Sequence, residues 1–477
     1  MDHLLWGILI ASLCVISLGT AGHALLMKRD PRSALGWIVA CLTLPLLGPF
    51  FYWAMGVNRI HRKARQWLES GRRVAGWDRF ASNLIFPTAD ALPAAAEHLG
   101  ELRILADRVV IAPLLAGNRI KILINGDNAY PEMLAAINSA RRSVHLSTYI
   151  FDVDSVGREF IAALSAAADR ELDVRLIVDS LGEKYSRPVA SSLFKGTRVK
   201  VGRFLPLRRG GYLNLRTHRK ILVVDGNVAF TGGMNIGGRH MVTEPVCREP
   251  VVDMHFRVEG PVVAYLQRNF LEDWYFVERE LVTDPRFFPK LEFAGNSMVR
   301  AVSDGPDKEF RKLLWLILGA LACARQRVMI MTPYFIPDRP LITALITAAL
   351  RGVEVQLILP ERNNLPYVHW ASRAYLWELL QHGIRVYYQP PPFVHTKLFV
   401  VDDVWALVGS ANLDPRSLRL NFEFNLEIYD EAFTGELTRH FEQAIAVSRK
   451  ETLVAVDGRP FGEKVRDSLA KLFSPYL

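Results

Sequence analysis

The chain is poor in cysteine, and its four cysteines follow no recognisable spacing. Cys14 and Cys41 lie in apolar stretches, whereas Cys247 and Cys323 stand alone. Neither the regular spacing of a disulfide-rich domain nor the close pairs of a zinc site are present. These absences exclude a disulfide-stapled module and a cysteine-based zinc protein, and they favour a reducing compartment.

Charge is absent from two long stretches near the start of the chain. Residues 4–26 and 33–57 contain no Asp, Glu, Lys or Arg. Each exceeds the roughly 20 residues that cross a bilayer as a helix. No basic residue precedes the first stretch, which favours a retained membrane segment over a cleaved signal peptide. The sequence therefore predicts two N-terminal transmembrane helices, the second kinked or made re-entrant by Pro45, Gly48 and Pro49.

The formal net charge is +9, and much of this excess flanks the apolar stretches. The flanking basic residues are Lys28, Arg29 and Arg32 before the second stretch, and Arg59, Arg62, Lys63, Arg65, Arg72 and Arg73 after it. The larger cluster predicts that the rest of the chain lies in the cytoplasm. No continuous basic stripe with interleaved aromatic residues runs along the chain, so anionic lipid is a closer partner than nucleic acid.

The remainder alternates strand and helix patterns in two similar halves. The matching pairs are strands at 143–151 and 327–335, helices at 157–168 and 340–350, and strands at 172–178 and 352–359. This order predicts an internal duplication, with a mixed sheet and helices on both faces in each half. The predicted domains are membrane segments over 1–57, a basic connector over 58–117, and two α/β domains over 118–290 and 291–477.

One short motif occurs twice, 177 residues apart. In each copy a Lys follows the His by two positions, an Asp follows it by seven, and an Asn follows it by seventeen. The first copy consists of His218, Lys220, Asp225 and Asn235. The second copy consists of His395, Lys397, Asp402 and Asn412. Alternation along a strand places each His and Lys on one face. Both Asp residues begin a predicted turn, where an Asp is ordinarily structural, so we predict a structural role for them.

The residue types at this motif suit phosphodiester chemistry. If the halves face each other, two imidazoles, two ammonium groups and two amides surround one phosphate. One His attacks phosphorus and forms a phosphohistidine, and the other acts as general acid and base. Lys220, Lys397, Asn235 and Asn412 are predicted to bind the phosphate oxygens.

A nucleophilic imidazole needs its other ring nitrogen held, and a carboxylate does this well. Asp253 and Glu423 lie in strand-like stretches 35 and 28 residues after the two motif histidines. We predict that they orient the histidines. An ordinary surface carboxylate on a strand is the alternative for both.

The paired motif resembles the signature of the phospholipase D superfamily, and the chain resembles bacterial cardiolipin synthases of the phospholipase D type. The narrower likeness rests on the two apolar segments and on the stretches 148–151, 332–338, 412–417 and 472–477. The resemblance covers nearly the whole chain.

This resemblance implies two tandem phospholipase D-like α/β domains related by a pseudo-twofold axis and preceded by two transmembrane helices. It implies that two phosphatidylglycerol molecules are condensed to cardiolipin and glycerol at the bacterial inner membrane, with no cofactor, nucleotide or metal. It also supports Asp253 and Glu423 as partners of the histidines. Gly233 in the first copy corresponds to Ser410 in the second, so the halves are unequal; we predict His218 as nucleophile and His395 as general acid and base.

Three alternatives differ in class. The first is a phospholipid hydrolase or a transferase with another donor, the second is a nuclease-type phosphodiesterase, and the third is a non-catalytic lipid-binding protein. Two further stretches are candidates for lipid contact: the basic loop 202–209, which is otherwise a solvated loop, and an aromatic cluster, which is otherwise helix core. The aromatic cluster consists of Tyr367, Trp370, Tyr375 and Trp377.

Overall fold

The computed structural model describes residues 2–28, 30–56, 89, 91–205, 215–244, 247–305 and 311–474. The chain divides into two compact units, Met1–Ala64 and Arg65–Leu477. The predicted basic cluster at 59–73, the arginines at 208 and 209, and residues 475–477 lie outside the described residues.

The first unit begins with one long apolar helix. Helix α1 spans Asp2–Met27, and its segment Leu4–Met27 has a mean hydropathy of 2.2. At 26 residues the helix is roughly 39 Å long, which exceeds the hydrocarbon thickness of a bilayer. Among the described residues it is the one helix long and apolar enough to cross a membrane.

The second apolar stretch does not form one long helix. Helix α2 spans Pro31–Thr43, helix α3 spans Leu47–Phe51, and a π-helical turn follows at Tyr52–Gly56. The break falls at Pro45, which has no backbone N–H to continue the ladder of α2. Helix α2 alone reaches roughly 20 Å, short of a bilayer core. The predicted kink is confirmed, whereas a continuous second transmembrane helix is not.

The second unit contains the repeated strand and helix pattern. Its α-helices are α4 (Gly100–Val109), α5 (Asn125–Ser139), α6 (Ser155–Asp169), α7 (Ala190–Leu193), α8 (Val263–Glu278), α9 (Lys312–Cys323), α10 (Arg339–Leu350), α11 (Pro366–Arg373), α12 (Leu376–Gln381), α13 (Glu431–Val447), α14 (Leu453–Asp457) and α15 (Phe461–Leu472). Helices α6 and α10 start at equivalent positions: Asp154 accepts from the Gly157 amide at 3.0 Å, and Asp338 accepts from the Leu341 amide at 3.2 Å. The same N-cap chemistry therefore begins the matching helix of each half.

The strands follow the same duplication. They are β1 (Leu115–Ile124), β2 (Ser143–Thr148), β3 (Asp173–Asp179), β4 (Lys200–Phe204), β5 (Ile221–Val224), β6 (Val228–Gly232), β7 (Val251–Val252), β8 (Met254–Glu259), β9 (Ser297–Asp304), β10 (Arg327–Met331), β11 (Glu354–Pro360), β12 (Arg385–Gln389), β13 (Phe393–Val394), β14 (Leu398–Val401), β15 (Trp405–Gly409), β16 (Glu423–Tyr429) and β17 (Arg449–Lys450). Strands β5 and β14 are buried throughout, as their continuous apolar runs require.

Fifteen strands form one mixed sheet in the order β17-β12-β11-β10-β14-β15-β16-β9-β1-β8-β6-β5-β2-β3-β4. Strands β1 and β9 pair at its centre, and equivalent strands follow in mirrored order on either side. Strand β2 is parallel to β3 and antiparallel to β5, and β10 is parallel to β11 and antiparallel to β14. The predicted mixed α/β fold and its duplication are confirmed.

The two halves share their interior. One cluster of buried apolar side chains includes residues from both halves, among them Val223, Phe256, Val302 and Phe424, each at most 1% exposed. A second cluster lies within the first half and includes Phe160 and Phe230. A common core explains why the two halves form one compact unit rather than two.

Candidate active site

Each motif histidine is held by a backbone hydrogen bond from the other half. The His218 amide donates to the Phe422 carbonyl at 2.9 Å, and the His395 amide donates to the Val252 carbonyl at 2.7 Å. Thr217 and Phe422 form a parallel bridge, and β13 pairs with β7 in the same sense. Each accepting residue directly precedes one of the predicted orienting carboxylates. The segment carrying each histidine is thus aligned with the carboxylate segment of the opposite half.

The side chains repeat this exchange between the halves. The Nδ1–H of His218 donates to Glu423 Oε2 at 3.1 Å and lies 3.0 Å from the Ser410 carbonyl oxygen. The Nδ1–H of His395 donates to Asp253 Oδ2 at 2.7 Å. A carboxylate on Nδ1 keeps the proton there and leaves the Nε2 lone pair available for attack or proton transfer.

Asp253 and Glu423 are completely buried. They are therefore not the surface strand carboxylates of the alternative interpretation. Glu423 is the first residue of β16, and Asp253 lies between β7 and β8. Each carboxylate contacts the motif histidine of the other half. This exchange could not be inferred from the distance along the chain between each carboxylate and the histidine of its own half.

A cavity of about 1110 Å³ brings the two motif copies together. Its lining includes His218, His395, Asn235 and Asn412. Two tyrosines not identified from sequence as site residues sit beside the histidines in equivalent ways: the Tyr149 ring centre is 5.5 Å from that of His218, and the Tyr334 ring centre is 6.0 Å from that of His395. Their equivalent positions in the repeated strands were the only signal in the sequence.

Both motif lysines are buried and folded back towards the histidine of their own copy. Lys220 Nζ donates to the His218 carbonyl at 2.6 Å, and Lys397 Nζ donates to the His395 carbonyl. Lys397 Nζ also lies 2.9 Å from His395 Nδ1. Burial lowers the pKa of Lys220 to about 7 and that of Lys397 to about 8, against the opposing charges of the buried carboxylates. An arriving phosphate favours the ammonium form of both.

The two asparagines use their side chains differently. Asn235 Oδ1 accepts from the Ile150 amide at 3.1 Å, so its amino group is the part left to donate to a substrate. Asn412 Oδ1 has no hydrogen-bond partner among the described residues. Both residues lie in the cavity wall, where they were predicted to bind phosphate.

The motif aspartates lie at the turns and accept backbone hydrogen bonds. Asp225 accepts from the amides of Arg141, Arg142 and Ser143, at 2.7–2.9 Å. Asp402 accepts in the same way from the amides of residues 325–327 and also from His98. Both adopt positive φ, 54° and 52°, at the tight turn between paired strands. Neither lines the cavity, and the position of both at the turns fits the structural role predicted for them.

Burial dominates the electrostatics of the histidines. It lowers the pKa of His218, although the charge of Glu423 opposes this. It lowers the pKa of His395 well below its ordinary value, and the nearby charges of Lys397 and His218 act in the same direction. Both shifts favour the neutral imidazole, which is the form that a nucleophile requires.

The carboxylates differ in their response to burial. Burial raises the pKa of Asp253, and the charge of Lys397 only partly offsets this. Burial also raises the pKa of Glu423, but its neighbours more than offset this. The pKa of Glu423 lies below its ordinary value because of the charges of His218 and Lys220 and the hydrogen bonds from His218 and Ser410.

The Gly233 and Ser410 positions make the two sites unequal. Ser410 Oγ donates to Glu423 Oε2 at 2.5 Å. A Cβ atom at Gly233 would lie only 2.3 Å from Asp253 Oδ1. The first half therefore has no room for the hydroxyl-bearing side chain that the second half uses.

The predicted lipid-contact stretches have mixed outcomes. Residues 202–204 of the predicted basic loop belong to strand β4, where Arg203 pairs with Glu183 at 3.1 Å, and the stretch from 206 onwards lies outside the described residues. Tyr367 and Trp377 of the aromatic cluster are 45% and 44% exposed. The other two members are partly covered by the C-terminal segment: Arg466 lies over the Trp370 ring, and Tyr375 donates to Ser474.

Within the described ranges, no group of three or more His, Cys, Asp and Glu residues is placed to hold one metal ion. The metal-free reaction implied by the family resemblance remains a prediction.

Comparison with known proteins identifies the family. The family described as "Cardiolipin synthase, PLD-like domain" matches residues 133–274 and 317–445, and "Phospholipase_D-nuclease N-terminal" matches residues 6–56. Similar proteins include the major cardiolipin synthase ClsA of Bacillus subtilis, 30% identical over 94% of this chain and 95% of the relative. Cardiolipin synthase A of Pseudomonas syringae pv. syringae is 31% identical over 100% of this chain and 99% of the relative.

A solved structure shows the same fold at lower identity. The crystal structure of a phosphatidylserine synthase from Haemophilus influenzae superposes with a TM-score of 0.63 at 15% identity, covering 79% of this chain and all of that one. The paired motif, the mirrored sheet and the family match over both halves lead to one conclusion. The chain belongs to the cardiolipin synthase family of phospholipase D-like proteins.

Proposed function

We propose that the protein is a membrane-bound phosphatidyltransferase that condenses two phosphatidylglycerol molecules to cardiolipin and glycerol. The observation that carries this proposal is the pair of imidazoles lining one cavity, each with Nδ1 on a buried carboxylate. The membership of the chain in the cardiolipin synthase family supports the choice of substrate.

In the first step, His218 Nε2 attacks the phosphorus of the donor lipid. The N–P bond forms as the bond to the glycerol oxygen breaks, and His395 Nε2–H gives its proton to that oxygen. The products are phosphatidyl-His218 and glycerol. The anionic phosphodiester stabilises the imidazolium of His395, which burial and the nearby positive charges disfavour.

In the second step, the terminal hydroxyl of another phosphatidylglycerol gives its proton to His395 Nε2. The hydroxyl oxygen bonds to phosphorus, the N–P bond breaks, and cardiolipin leaves. His218 returns to the neutral form and His395 to the protonated form. Lys220, Lys397, Asn235 and Asn412 stabilise the charge on the phosphate oxygens throughout.

The arrangement in the membrane is part of the same proposal. Helix α1 crosses the bacterial inner membrane, and the shorter α2 and α3 enter it as the second arm of a hairpin. The catalytic domains, over 118–290 and 291–477, lie in the cytoplasm and are related by a pseudo-twofold axis. The strong apolarity of α1 supports the membrane crossing, and the mirrored strand order supports the pseudo-twofold axis.

The activity is tested with the full-length protein in vesicles of defined phosphatidylglycerol, with products measured by mass spectrometry. We expect equal amounts of cardiolipin and glycerol without added nucleotide. His218→Ala and His395→Ala should both be inactive. Phosphatidic acid without cardiolipin would instead identify a hydrolase and reject the proposal.

The roles of the two histidines are separated by a donor whose leaving group needs no proton. With phosphatidyl-p-nitrophenol, His395→Ala should still release one equivalent of p-nitrophenol and leave the phosphatidyl group on His218. His218→Ala should release none. The reverse pattern would exchange the two roles while leaving the overall reaction intact.

A further inference from the structure

One buried arginine of the cavity has no hydrogen-bond partner. Arg216 lines the cavity and is only 2% exposed. Its Nε, Nη1 and Nη2 atoms have no hydrogen-bond acceptor among the described residues. A guanidinium carries five N–H donors, and leaving them unpaired in a buried place is costly. A buried, unpaired donor set in the wall of a cavity points to an anionic ligand.

The nearest carboxylate does not satisfy this arginine. Asp179 Oδ1 lies 3.9 Å from Arg216 Nε, beyond hydrogen-bond distance. Its oxygens accept instead from the backbone amides of Leu181, Gly182 and Thr217, at 2.8, 3.1 and 3.2 Å. Burial raises the pKa of Asp179 to about 6. Asp179 thus partly offsets the positive charge of Arg216 but leaves the N–H groups of Arg216 free for a ligand.

The equivalent position in the other half carries no charge. Arg216 lies two residues before His218, and Phe393 lies two residues before His395. Asp179 ends strand β3, whereas Pro360 ends the equivalent strand β11. The Phe393 ring packs 5.9 Å from the His395 ring. The motif is duplicated, but this charged pair occurs on one side only.

The arginine is also close to the reacting centre. Residues two apart in an extended segment lie on the same side and roughly 7 Å apart. The charge of Arg216 acts on Tyr149, whose ring contacts His218. The separation between Arg216 and His218 is similar to the distance between two phosphorus atoms that are joined by a three-carbon glycerol bridge.

We propose that Arg216 anchors a second phosphate subsite, which holds the phosphodiester of the acceptor lipid while its terminal hydroxyl attacks phosphatidyl-His218. The inference rests on the proposed function and extends it to the choice of acceptor. The subsite favours an alcohol that carries a phosphodiester over glycerol or water, which do not. Because Phe393 takes the equivalent place, donor and acceptor bind differently.

The test compares three acceptors for the phosphatidyl group: phosphatidylglycerol, deuterated glycerol, and soluble glycerophosphoglycerol. Exchange with deuterated glycerol requires the same two histidines but offers no second phosphate. For Arg216→Gln in full-length enzyme, we expect the ratio of cardiolipin formation to glycerol exchange to fall by about 10- to 100-fold. Arg216→Lys keeps the charge but loses the planar fork, and its ratio should fall less.

A matched control removes another buried arginine. Arg175 is 3% exposed, does not line the cavity, and is paired with Asp173 and Glu280. Arg175→Gln should leave the acceptor ratio unchanged whatever it does to stability. If Arg216→Gln does not fold, the ratio measured for Arg216→Lys decides the question.

Two results would overturn the subsite. One is an acceptor ratio unchanged in the Arg216 variants, which would place the arginine outside acceptor selection. The other is a wild-type enzyme that shows no preference for glycerophosphoglycerol over glycerol as acceptor. A wild-type enzyme that makes no cardiolipin would refute the proposed function instead, and the preference for glycerophosphoglycerol over glycerol would still test the subsite.

A different observation concerns helix α15, whose polar side faces the protein. Asp467 is 1% exposed and pairs with Arg459 at 2.5 Å and with Arg373 of α11 at 3.5 Å. Glu463 also pairs with Arg373, at 2.8 Å. The opposite stripe of α15 is apolar and exposed. It consists of Phe461, Val465, Leu469 and Leu472, which are 82%, 40%, 53% and 72% exposed.

This orientation is the inverse of a soluble amphipathic helix, which turns its apolar stripe inward. Lys464 is exposed on the flank of the stripe, as in helices that lie in an anionic membrane surface. Helix α15 packs on α11, whose Tyr367 and Val368 line the cavity. We infer that the apolar stripe of α15 lies in the lipid bilayer and sets the cavity beside its lipid substrates.

Single cysteines test this surface in full-length protein whose four native cysteines are replaced. A fluorophore on Val465→Cys or Leu469→Cys should be quenched by nitroxide-bearing lipids in phosphatidylglycerol vesicles. The control Glu436→Cys, exposed on α13, should be quenched several-fold less. Equal quenching at the stripe and the control would overturn the inference. Cross-linking of Leu469→Cys between two copies without lipid quenching would also overturn it, because the stripe would then be a dimer contact.

Discussion

Replacing Asp253 by Asn removes one charge from the orienting pair and leaves nearly the same shape. Asp253 Oδ1 accepts from the Met254 amide at 2.8 Å, and Oδ2 accepts from His395 Nδ1–H at 2.7 Å. In Asp253→Asn the remaining oxygen must stay on the Met254 amide, so the new amino group faces His395. The imidazole must then accept at Nδ1 and carry its proton on Nε2, which is the wrong tautomer for a base.

The size of the effect follows from two losses. The variant loses a buried charge-assisted hydrogen bond, and it loses the negative charge that stabilises the imidazolium of His395. The same exchange of tautomer in a serine-protease triad lowers turnover by about 10⁴-fold. We expect cardiolipin formation by Asp253→Asn to fall by about 10³-fold, because Lys397 already weakens the hold of Asp253 on the ring.

The leaving group distinguishes this effect from general damage. With phosphatidyl-p-nitrophenol the first step needs no general acid, so the initial burst of p-nitrophenol should fall less than about tenfold. Glu423→Gln acts on His218 and should abolish both the burst and cardiolipin formation. Asp152→Asn is the control, because Asp152 lines the cavity but pairs with Arg239.

The pH profile provides a second measurement on the same variant. Burial lowers the pKa of Lys397 to about 8, and Asp253 is the main charge that opposes this fall. Without Asp253 the pKa of Lys397 drops further, so the ammonium is lost at lower pH. The alkaline limb of kcat/KM should shift to lower pH in Asp253→Asn. Near-normal cardiolipin formation with an unshifted limb would refute the orienting role of Asp253.

Three further predictions concern other residues of the motif. Asp402→Ala, which leaves three backbone N–H groups unpaired, should cost about 2 kcal/mol of folding stability in thermal unfolding while leaving kcat within a few-fold of wild type. Because the pKa of Lys220 is about 7, its ammonium form is present below that pH and lost above it. We therefore expect kcat/KM for phosphatidylglycerol to decline as the pH rises from 7 to 8, and a flat profile would contradict this. Gly233→Ser places an atom against Asp253 and should lower the rate of cardiolipin formation at least about tenfold. Ser410→Gly opens space instead and should lower that rate less. Steady-state rates of the two variants test this difference.

The duplicated fold could be predicted because its signals are local and repeated. The run 221–224 and its counterpart 398–401 are apolar throughout and are buried strands. Asp225 and Asp402 were assigned a structural role because an Asp at a tight turn can satisfy backbone amides, and the structure places both in contact with such amides. Patterns of this kind depend on residues that are close along the chain, so they can be recognised in a single sequence.

The crossed carboxylates could not be predicted in the same way. Glu423 lies 205 residues from His218, and Asp253 lies 142 residues from His395. The contacts depend on how the two halves meet along β1 and β9, and no short-range pattern encodes that meeting. The second apolar segment was overestimated for a related reason: hydropathy counts residues, whereas the break at Pro45 depends on one missing N–H.

The departures from symmetry carry a chemical consequence. Donor and acceptor are the same lipid, so a perfectly symmetric site would bind both equally and could not fix which phosphorus is attacked. Arg216 in the first half corresponds to Phe393 in the second, and Gly233 corresponds to Ser410. Arg216 and Phe393 each lie two residues before a motif histidine, whereas Gly233 and Ser410 lie against the carboxylates Asp253 and Glu423. The duplication provides two copies of the same motif, and under the proposed mechanism the differences at these positions would determine which lipid is the donor and which is the acceptor.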